Sequence, residues 1–332
     1  MKVLVTGAGA LLGQGIIRSL RLSGLAPEIV AADPSPHAVG LWWADRRHLI
    51  PLASDPGYVQ ALRALLRAER PDALLVGTDT ELPLIAGVRE ELEAETGTAV
   101  LVSPPDVVRI ADDKWLTYAF LRDQGLPAPA SALPENAEAL AEEIGFPLIV
   151  KPRVGARSVG VSRVETLAQL RRALEGREGL VVQECVASDH DEYTAGTLCF
   201  PGQPTLSIVM RRDLRDGNTW RAYVEHFPEL NAQVRTIAGA LRSYGPANFQ
   251  FRVSGGQAKV FEINARFSGT TPLRARAGFN EVEMALRHVL SGEPLVQPEV
   301  RRAVFLRYFE EQMVHPEEVE AVRGEPALRG AG

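Results

Sequence analysis

The sequence predicts an α/β protein: a parallel sheet covered on both faces over the first hundred residues, then a larger α+β region. Three observations carry this. Short β-branched runs alternate with helical patterns up to Val102. Ser103-Pro104-Pro105 then closes the alternation. Beyond it come short apolar runs, glycine-bearing turns and one strong hairpin pattern. The 332 residues suggest two to three domains at roughly 150 residues each. A composition 45% hydrophobic and 23% charged supports a buried core and argues against disorder.

In order, strands are expected at 2–6, 28–32, 73–76 and 99–102, with helices at 11–22, 58–70 and 84–92 between them. A helix at 107–124 follows, with Gly125 and Pro127 at its C-terminal end. Then come a buried strand at 147–152, a glycine-bearing loop at 155–160, a strand at 161–164, a helix at 166–174 and a strand at 180–183. Strands dominate from Tyr193, with a hairpin of 248–253 and 257–263 around Ser254-Gly255-Gly256, and a helix at 282–290. The tail past Val314 shows little periodicity. The expected divisions are 1–105, 106–185 and 186–332.

Several function classes are set aside. No run approaches the roughly 18–20 apolar residues of a membrane helix. The opening MKVLVTGAG reads as a strand entering a glycine turn rather than a signal, and two cysteines are too few for a disulfide framework, so a cytoplasmic protein is expected. A net charge of −6 argues against a nucleic-acid partner. Of 36 basic residues only Lys2, Lys114, Lys151 and Lys259 are lysine, which marks four positions where a compact charge is used.

Gly7-Ala8-Gly9-Ala10-Leu11-Leu12-Gly13 follows a strand and opens a helix, with Asp33 ending the next strand. This nearly meets the dinucleotide fingerprint, but the spacing is one residue too long. It leaves two readings: an NAD(P)-dependent oxidoreductase, or a tight strand–helix turn that binds no dinucleotide. The tyrosine–lysine pair of short-chain oxidoreductases is absent.

Three sets beyond residue 107 fit together. Lys114 and Lys151, the latter ending an apolar strand and so needing an anionic partner, precede the loop Gly155-Ala156-Arg157-Ser158-Val159-Gly160. Such a loop can offer backbone N–H groups, a hydroxyl and a guanidinium to phosphate, although taken by itself it reads first as an ordinary hairpin turn with a solvent-facing arginine. Gln183-Glu184-Cys185-Val186 and Glu192 could serve ribose and base, or be solvated. In the hairpin, alternation puts Asn248, Gln250, Glu262 and Asn264 on one face and Phe249, Phe251, Phe261 and Ile263 on the other. Oxygen donors so gathered suit Mg²⁺, and Arg266 follows where it can neutralise a transferred phosphoryl group.

Together these motifs resemble the ATP-grasp superfamily, in the branch of carbamoyl-phosphate synthase large chain and biotin carboxylase, with a Rossmann-like pre-ATP-grasp domain before a two-lobed ATP-grasp domain. The resemblance covers essentially the whole chain. It implies that Lys114 and Lys151 hold ATP phosphates and that Gly155, Ala156, Arg157 and Ser158 belong to the loop closing over them. Glu184 and the backbone of Val186 would meet adenosine, and Glu192 ribose. Gln250, Glu262 and Asn264 would bind Mg²⁺, with Mn²⁺ as a substitute, and Arg266 and Lys151 would be catalytic. The loop departs from the family pattern at Ala156 and Arg157. The implied activity is ATP-dependent carboxylate–amine (or carboxylate–thiol) ligation through an acyl phosphate, releasing ADP and phosphate, with residues 107–185 closing over the site. A non-catalytic nucleotide-binding protein is the other rival reading. The partners implied are a small carboxylate and an amine, and related enzymes are often dimers, which keeps a homodimer open. Substrate candidates are Asp79 and Glu81 after a parallel strand, Arg212, and the pair Arg274 and Arg276, which could clamp a carboxylate.

Overall fold

A computed structural model describes residues 1–155, 158–186 and 192–324; Ala156 and Arg157 of the expected phosphate loop lie outside the described residues. Five strands open the chain: β1 (Lys2–Val5), β2 (Glu28–Asp33), β3 (Arg46–Leu49), β4 (Ala73–Leu75) and β5 (Ala99–Leu101). All pair in parallel, in the order β3-β2-β1-β4-β5. Both faces are buried: Val3 and Val5 pack into one apolar cluster and Leu4 into another, which is why these strands read as continuous apolar runs. β3 and the short helix Val39–Trp42 before it have no place in the sequence reading. β3 reads Arg-Arg-His-Leu, and its pairing to β2 rather than its composition makes it a strand.

Chain order reverses between β1 and β4, so a crevice opens there beyond the carboxyl ends of both strands. The glycine turn after β1 forms one bank and Thr78–Thr80 after β4 the other. Gly7 has φ +55, open to glycine at little cost. A Cβ on Gly13 would strike the carbonyl of Gly7, so the turn and its helix are in close contact.

Two expected helices are each broken in two. Residues 84–92 span Leu82–Gly87 and Arg89–Thr96, parted at Val88. Residues 107–124 span Pro105–Asp112 and Lys114–Asp123. The second break has a clear cause: Asp113 is extended (φ −102, ψ 113) and its carboxylate accepts from the amides of Trp115 and Leu116 at 2.8 and 3.3 Å. It is an N-cap in the middle of an amphipathic pattern, and it sets Lys114 at the head of the second helix.

A four-stranded sheet follows, made of β6 (Ser131–Ala132), β7 (Leu148–Pro152), β8 (Ser162–Val164) and β9 (Leu180–Glu184) in the order β6-β9-β7-β8. The third sheet has β10 (Glu192–Cys199), β11 (Leu206–Arg215), β12 (Asn218–Val224), β13 (Gly245–Ser254), β14 (Gln257–Asn264) and β15 (Ala303–Leu306), in the order β14-β13-β10-β11-β12-β15. One of its faces packs on the helix Pro228–Leu241, which strand-like composition had hidden, through Val234, Ile237 and Leu241. The other joins the core of the parallel sheet through Ile208, Met210, Ala222 and Val224. The tail is not featureless: Pro316–Gly324 is a helix whose Val322 is buried. Among the described residues no helix is long and apolar enough to cross a membrane.

Candidate active site

Asp113 is the hinge on which the cationic groups are arranged. Arg153, two residues beyond Lys151, donates to both oxygens of Asp113, with Nε at 3.1 Å from each and Nη2 at 2.5 Å from Oδ2. Burial opposes ionisation of this carboxyl, yet Arg153 and the two amides hold it below the ordinary aspartate value. The Lys114 amide donates to the Arg153 carbonyl at 2.9 Å and its Nζ to the Gly155 carbonyl at 2.8 Å. The two expected phosphate lysines therefore belong to one bonded unit joining a helix start to the end of β7.

Lys151 is only 6% exposed. Its Nζ donates to Gln183 Oε1 at 2.7 Å and to the Phe261 carbonyl at 3.4 Å, and lies 5.2 Å from the Phe261 ring centre. No carboxylate makes direct contact with it among the described residues. Burial pushes its pKa down to about 8 against the pull of Glu262.

The hairpin brings the expected donors together. Asn248 faces Asn264 and Gln250 faces Glu262 across β13 and β14. One detail differs from simple alternation. Phe251 pairs with Val260, so Phe261 is an extra residue opposite no partner. This bulge turns Phe261 out of the core, where Phe249, Phe251 and Ile263 remain, and into a cavity beside Lys151.

Glu262 Oε1 accepts from Gln250 Nε2 and Asn264 Nδ2, both at 3.1 Å. The amide oxygens of Gln250 and Asn264 accept from Arg212 at 2.7 Å and Arg266 at 2.9 Å. Glu262 Oε2 makes no hydrogen bond among the described residues. One free hard oxygen at a cavity wall, with two amides beside it, fits Mg²⁺ carried in by phosphates and water rather than caged by protein. No cluster of three or more His, Cys, Asp or Glu suited to a metal occurs among the described residues.

Two cavities meet at this face. The smaller, about 240 Å³, lies between the four-stranded sheet and the hairpin, lined by Lys151, Ser158, Glu184, Val186, Glu192 and Phe261 among others. The larger, about 610 Å³, reaches from the hairpin to the switch point of the parallel sheet, where Leu11, Leu12, Asp79 and Thr80 line it. Lys114, Gly155, Arg212, Gln250 and Glu262 line both.

The remaining expected residues fall as follows. Glu184 is held by Lys259 at 2.7 and 2.8 Å and by the Ala130 amide at 3.0 Å, and the Val186 carbonyl accepts from Arg252 at 3.2 Å. Glu192 is bridged by Arg212 at 2.5 Å and Arg252 at 3.4 Å. Arg266 clasps Asp79 with Nε at 2.7 Å and Nη2 at 3.2 Å, tying the hairpin to the parallel sheet. Arg212 is thus an ion-pair partner that lines both cavities, rather than a free clamp.

Three substrate candidates do not line the larger cavity. Glu81 is 4% exposed and accepts from Tyr58 at 2.7 Å, Thr78 at 2.8 Å and Thr6 at 2.9 Å; burial pushes its carboxyl upward despite these donors. It braces β1 against β4 from inside. Arg274 is 1% exposed, paired with the fully buried Glu281 at 3.0 and 3.1 Å and bonded to Asn248, Ser268 and Thr270. Its guanidinium lies on Gly196, where any Cβ would collide with it. Arg276, two residues on in the helix Thr271–Ala277, turns to the opposite side and is exposed. Residues two apart on a helix are nearly opposite, so the expected clamp cannot form.

The dinucleotide reading meets a further obstacle. Asp33 Oδ2 accepts from the Gly9 amide at 2.7 Å and Oδ1 from Ser35 at 2.9 Å, so the acid that would hold a ribose is spent on the turn itself. Ala38 fills the space beside Gly9.

Of the groups missed in the sequence, Lys259 was one of four flagged lysines but sits in no phosphate pattern. Arg252 and Arg307 carried no signal among 32 arginines.

Comparison with known proteins agrees. A family model described as ATP-grasp in the biosynthetic pathway with Ter operon matches residues 177–312, and one described as D-ala D-ala ligase C-terminus matches 115–185. Carbamoyl phosphate synthase large chain of Methanosarcina mazei is 24% identical over 326 residues, covering 89% of this chain and 30% of its own. The chain thus spans about 30% of the length of that relative. Among solved structures, N5-carboxyaminoimidazole synthetase from Staphylococcus aureus complexed with ADP superposes with TM-score 0.72 at 16% identity, covering 92% of this chain and 82% of that one. The biotin carboxylase domain dimer of Hydrogenobacter thermophilus 2-oxoglutarate carboxylase, with MgADP and bicarbonate, gives 0.70 at 18% identity, covering 91% and 72%.

The fold is that of ATP-grasp proteins. The relatives and neighbours to which the chain is similar fall in the branch of carbamoyl-phosphate synthase large chain and biotin carboxylase.

Proposed function

We propose that this protein is an ATP-dependent ligase that activates a small carboxylate as an acyl phosphate and passes the acyl group to an amine, releasing ADP and phosphate. What supports the reading is that the two cavities share a wall of Lys114, Arg212, Gln250 and Glu262, so a nucleotide in the smaller and an acid in the larger would touch end to end. Adenosine lies against Glu184, Val186 and Glu192, and the phosphates run toward Lys114, Lys151, Gly155 and Ser158, with Ala156 and Arg157 in the same loop. Glu262, Gln250 and Asn264 would hold Mg²⁺, which would supply charge neutralisation at the phosphates.

The chain's own residues do the rest by position and charge, and no protein nucleophile is needed. Lys151 brings an unpaired, poorly solvated charge that phosphate oxygens satisfy. Arg266, held in place by Asp79, faces the developing acyl phosphate. Closure of residues 106–185 over 186–332 excludes water that would hydrolyse it. A cytoplasmic location fits this chemistry.

The test is phosphate and ADP release with Mg-ATP across a panel of small carboxylic and amino acids, each with and without an amine, with Glu262→Ala as control. Acid-dependent release abolished by the substitution is the expected result. Release that no acid stimulates, or that Glu262→Ala leaves intact, would sink the reading.

A further inference from the structure

The third sheet ends in an open edge that carries apolar side chains. β15 pairs with β12 on one side, and no strand pairs with its other side among the described residues. The ladder runs on past the strand, since the Arg307 amide donates to the Trp220 carbonyl at 3.2 Å. In an antiparallel ladder, alternate residues turn their main-chain groups to the same neighbour. Ala303, Phe305 and Arg307 thus bond β12, while Val304 and Leu306, and Tyr308 in continuation, turn theirs to the open edge. The side chains divide in the same way. Phe305 packs against the core and Arg307 lines the larger cavity, whereas Leu306 is 68% and Tyr308 78% exposed. Val304 and Phe309 are exposed beside them. Their neighbours on β12 are Tyr223 and Arg221, polar groups drawn to Asp213. No lysine or proline blunts the stretch from Ala303 to Phe309, and such an edge is a template for a further strand.

The charges flanking the edge show which strand fits. Arg301 and Arg302 precede β15 and Glu310 and Glu311 follow it, all four exposed. None of the four forms an ion pair among the described residues. Opposed residues of an antiparallel pair both turn to each other, so a second β15 can meet the first only through Val304, Leu306 and Tyr308. With Leu306 opposite its own copy, Arg302 faces Glu310 and Arg301 faces Glu311, at both ends at once. Sliding the copy by two residues sets Arg302 against Tyr308 or Gln312 instead. In the first register Val304 also stands opposite Tyr308, a β-branched–aromatic pair on the exposed face. The edge is therefore complementary to itself, which is what a closed two-fold contact requires.

We propose that a second copy of this chain docks on β15 edge to edge, antiparallel about a two-fold axis at Leu306, so that the two six-stranded sheets become one. Main-chain hydrogen bonds and the contacts of Val304, Leu306 and Tyr308 hold the copies together. The exposed Arg–Glu pairs add little strength and select the register. Because Phe305 and Arg307 face inward, the larger cavity stays open in each copy. Nothing in this pairing depends on the reaction catalysed.

The test is sedimentation velocity of the full chain over a wide range of protein concentration, at low and high salt. The unmodified protein should pass from monomer to dimer and grow no further. Leu306→Lys places like charges on the axis and should need at least about tenfold more protein to dimerise. Arg302→Glu and Glu310→Arg each oppose like charges at both ends of their own dimers, and each should dimerise less at low salt. Mixed, they restore opposite charges at both ends and should form a one-to-one dimer as tight as the unmodified one. If Leu306→Lys does not fold, as read by thermal unfolding, the mixture decides. An unmodified chain that stays monomeric or grows beyond the dimer would overturn the proposal. So would a folded Leu306→Lys that dimerises like the unmodified chain, or a mixture no tighter than either variant alone.

Discussion

Lys151 offers the sharpest prediction, because its environment sets both a direction and a pH window. Its ammonium is buried against Phe261 with only neutral oxygens in contact, and its pKa is pushed down to about 8. A triphosphate at the same place would favour the charged form. Above pH 8 nucleotide binding must therefore take up a proton, and affinity should fall by about tenfold per pH unit once the free lysine is mostly neutral. Between pH 7 and pH 9 the loss works out at roughly tenfold, since the charged fraction drops from about nine-tenths to about one-tenth. The assay is calorimetric titration of Mg-ADP in buffers of different ionisation enthalpy, which reads affinity and proton uptake together. Lys151→Met should bind more weakly and lose the slope. The same lysine acts on stability with a defined sign. Between about pH 8 and 10.5 the unfolded chain holds a proton that the folded chain has lost, so this group makes stability rise with pH there. An affinity that stays flat from pH 7 to pH 9 without proton uptake would refute the reasoning.

Further outcomes follow from other contacts. Glu262→Gln should raise the Mg²⁺ concentration for half-maximal nucleotide binding by at least 10–100-fold, the typical cost of losing even an outer-shell metal contact, read by titration at fixed ATP. Arg274→Met leaves Glu281 buried and unpaired and should destabilise the chain by about 3–5 kcal/mol in denaturant unfolding, while Arg274→Met with Glu281→Met recovers much of the loss. Glu81→Gln should leave the KM for ATP unchanged. Because burial raises the Glu81 carboxyl, its contribution is full below the ordinary glutamate value and fades as pH climbs through the raised one. The substitution should flatten that part of the stability profile. Asp79→Asn should cost roughly 10²–10³-fold in turnover if Arg266 needs its clasp to stay aimed, with little change in nucleotide affinity.

What local sequence could carry, it carried. Parallel strands buried on both faces must be apolar throughout, so β1, β2, β4 and β5 were legible as runs. Alternation brought Asn248, Gln250, Glu262 and Asn264 to one hairpin face because a strand has only two faces. What alternation could not foresee is the bulge at Phe261, since an extra residue shows only when two strands are paired. The mid-helix cap at Asp113 is equally local in form, but its hold depends on Arg153, which reaches it from the end of β7.

The same division separates the arginines. Among 32 of them, sequence alone offers no way to tell a buried strut from a ligand clamp, because the distinction lies in which carboxylate stands opposite. Arg274 met Glu281 and Arg266 met Asp79, 187 positions away in the chain, while Arg307 met no carboxylate among the described residues. By itself the sequence determined four of the five parallel strands in their order and the polar side chains gathered on one hairpin face. Tertiary structure decided which charges neutralise each other, and so which remain for a substrate, because Coulomb interactions act through space between segments whose separation only the fold defines.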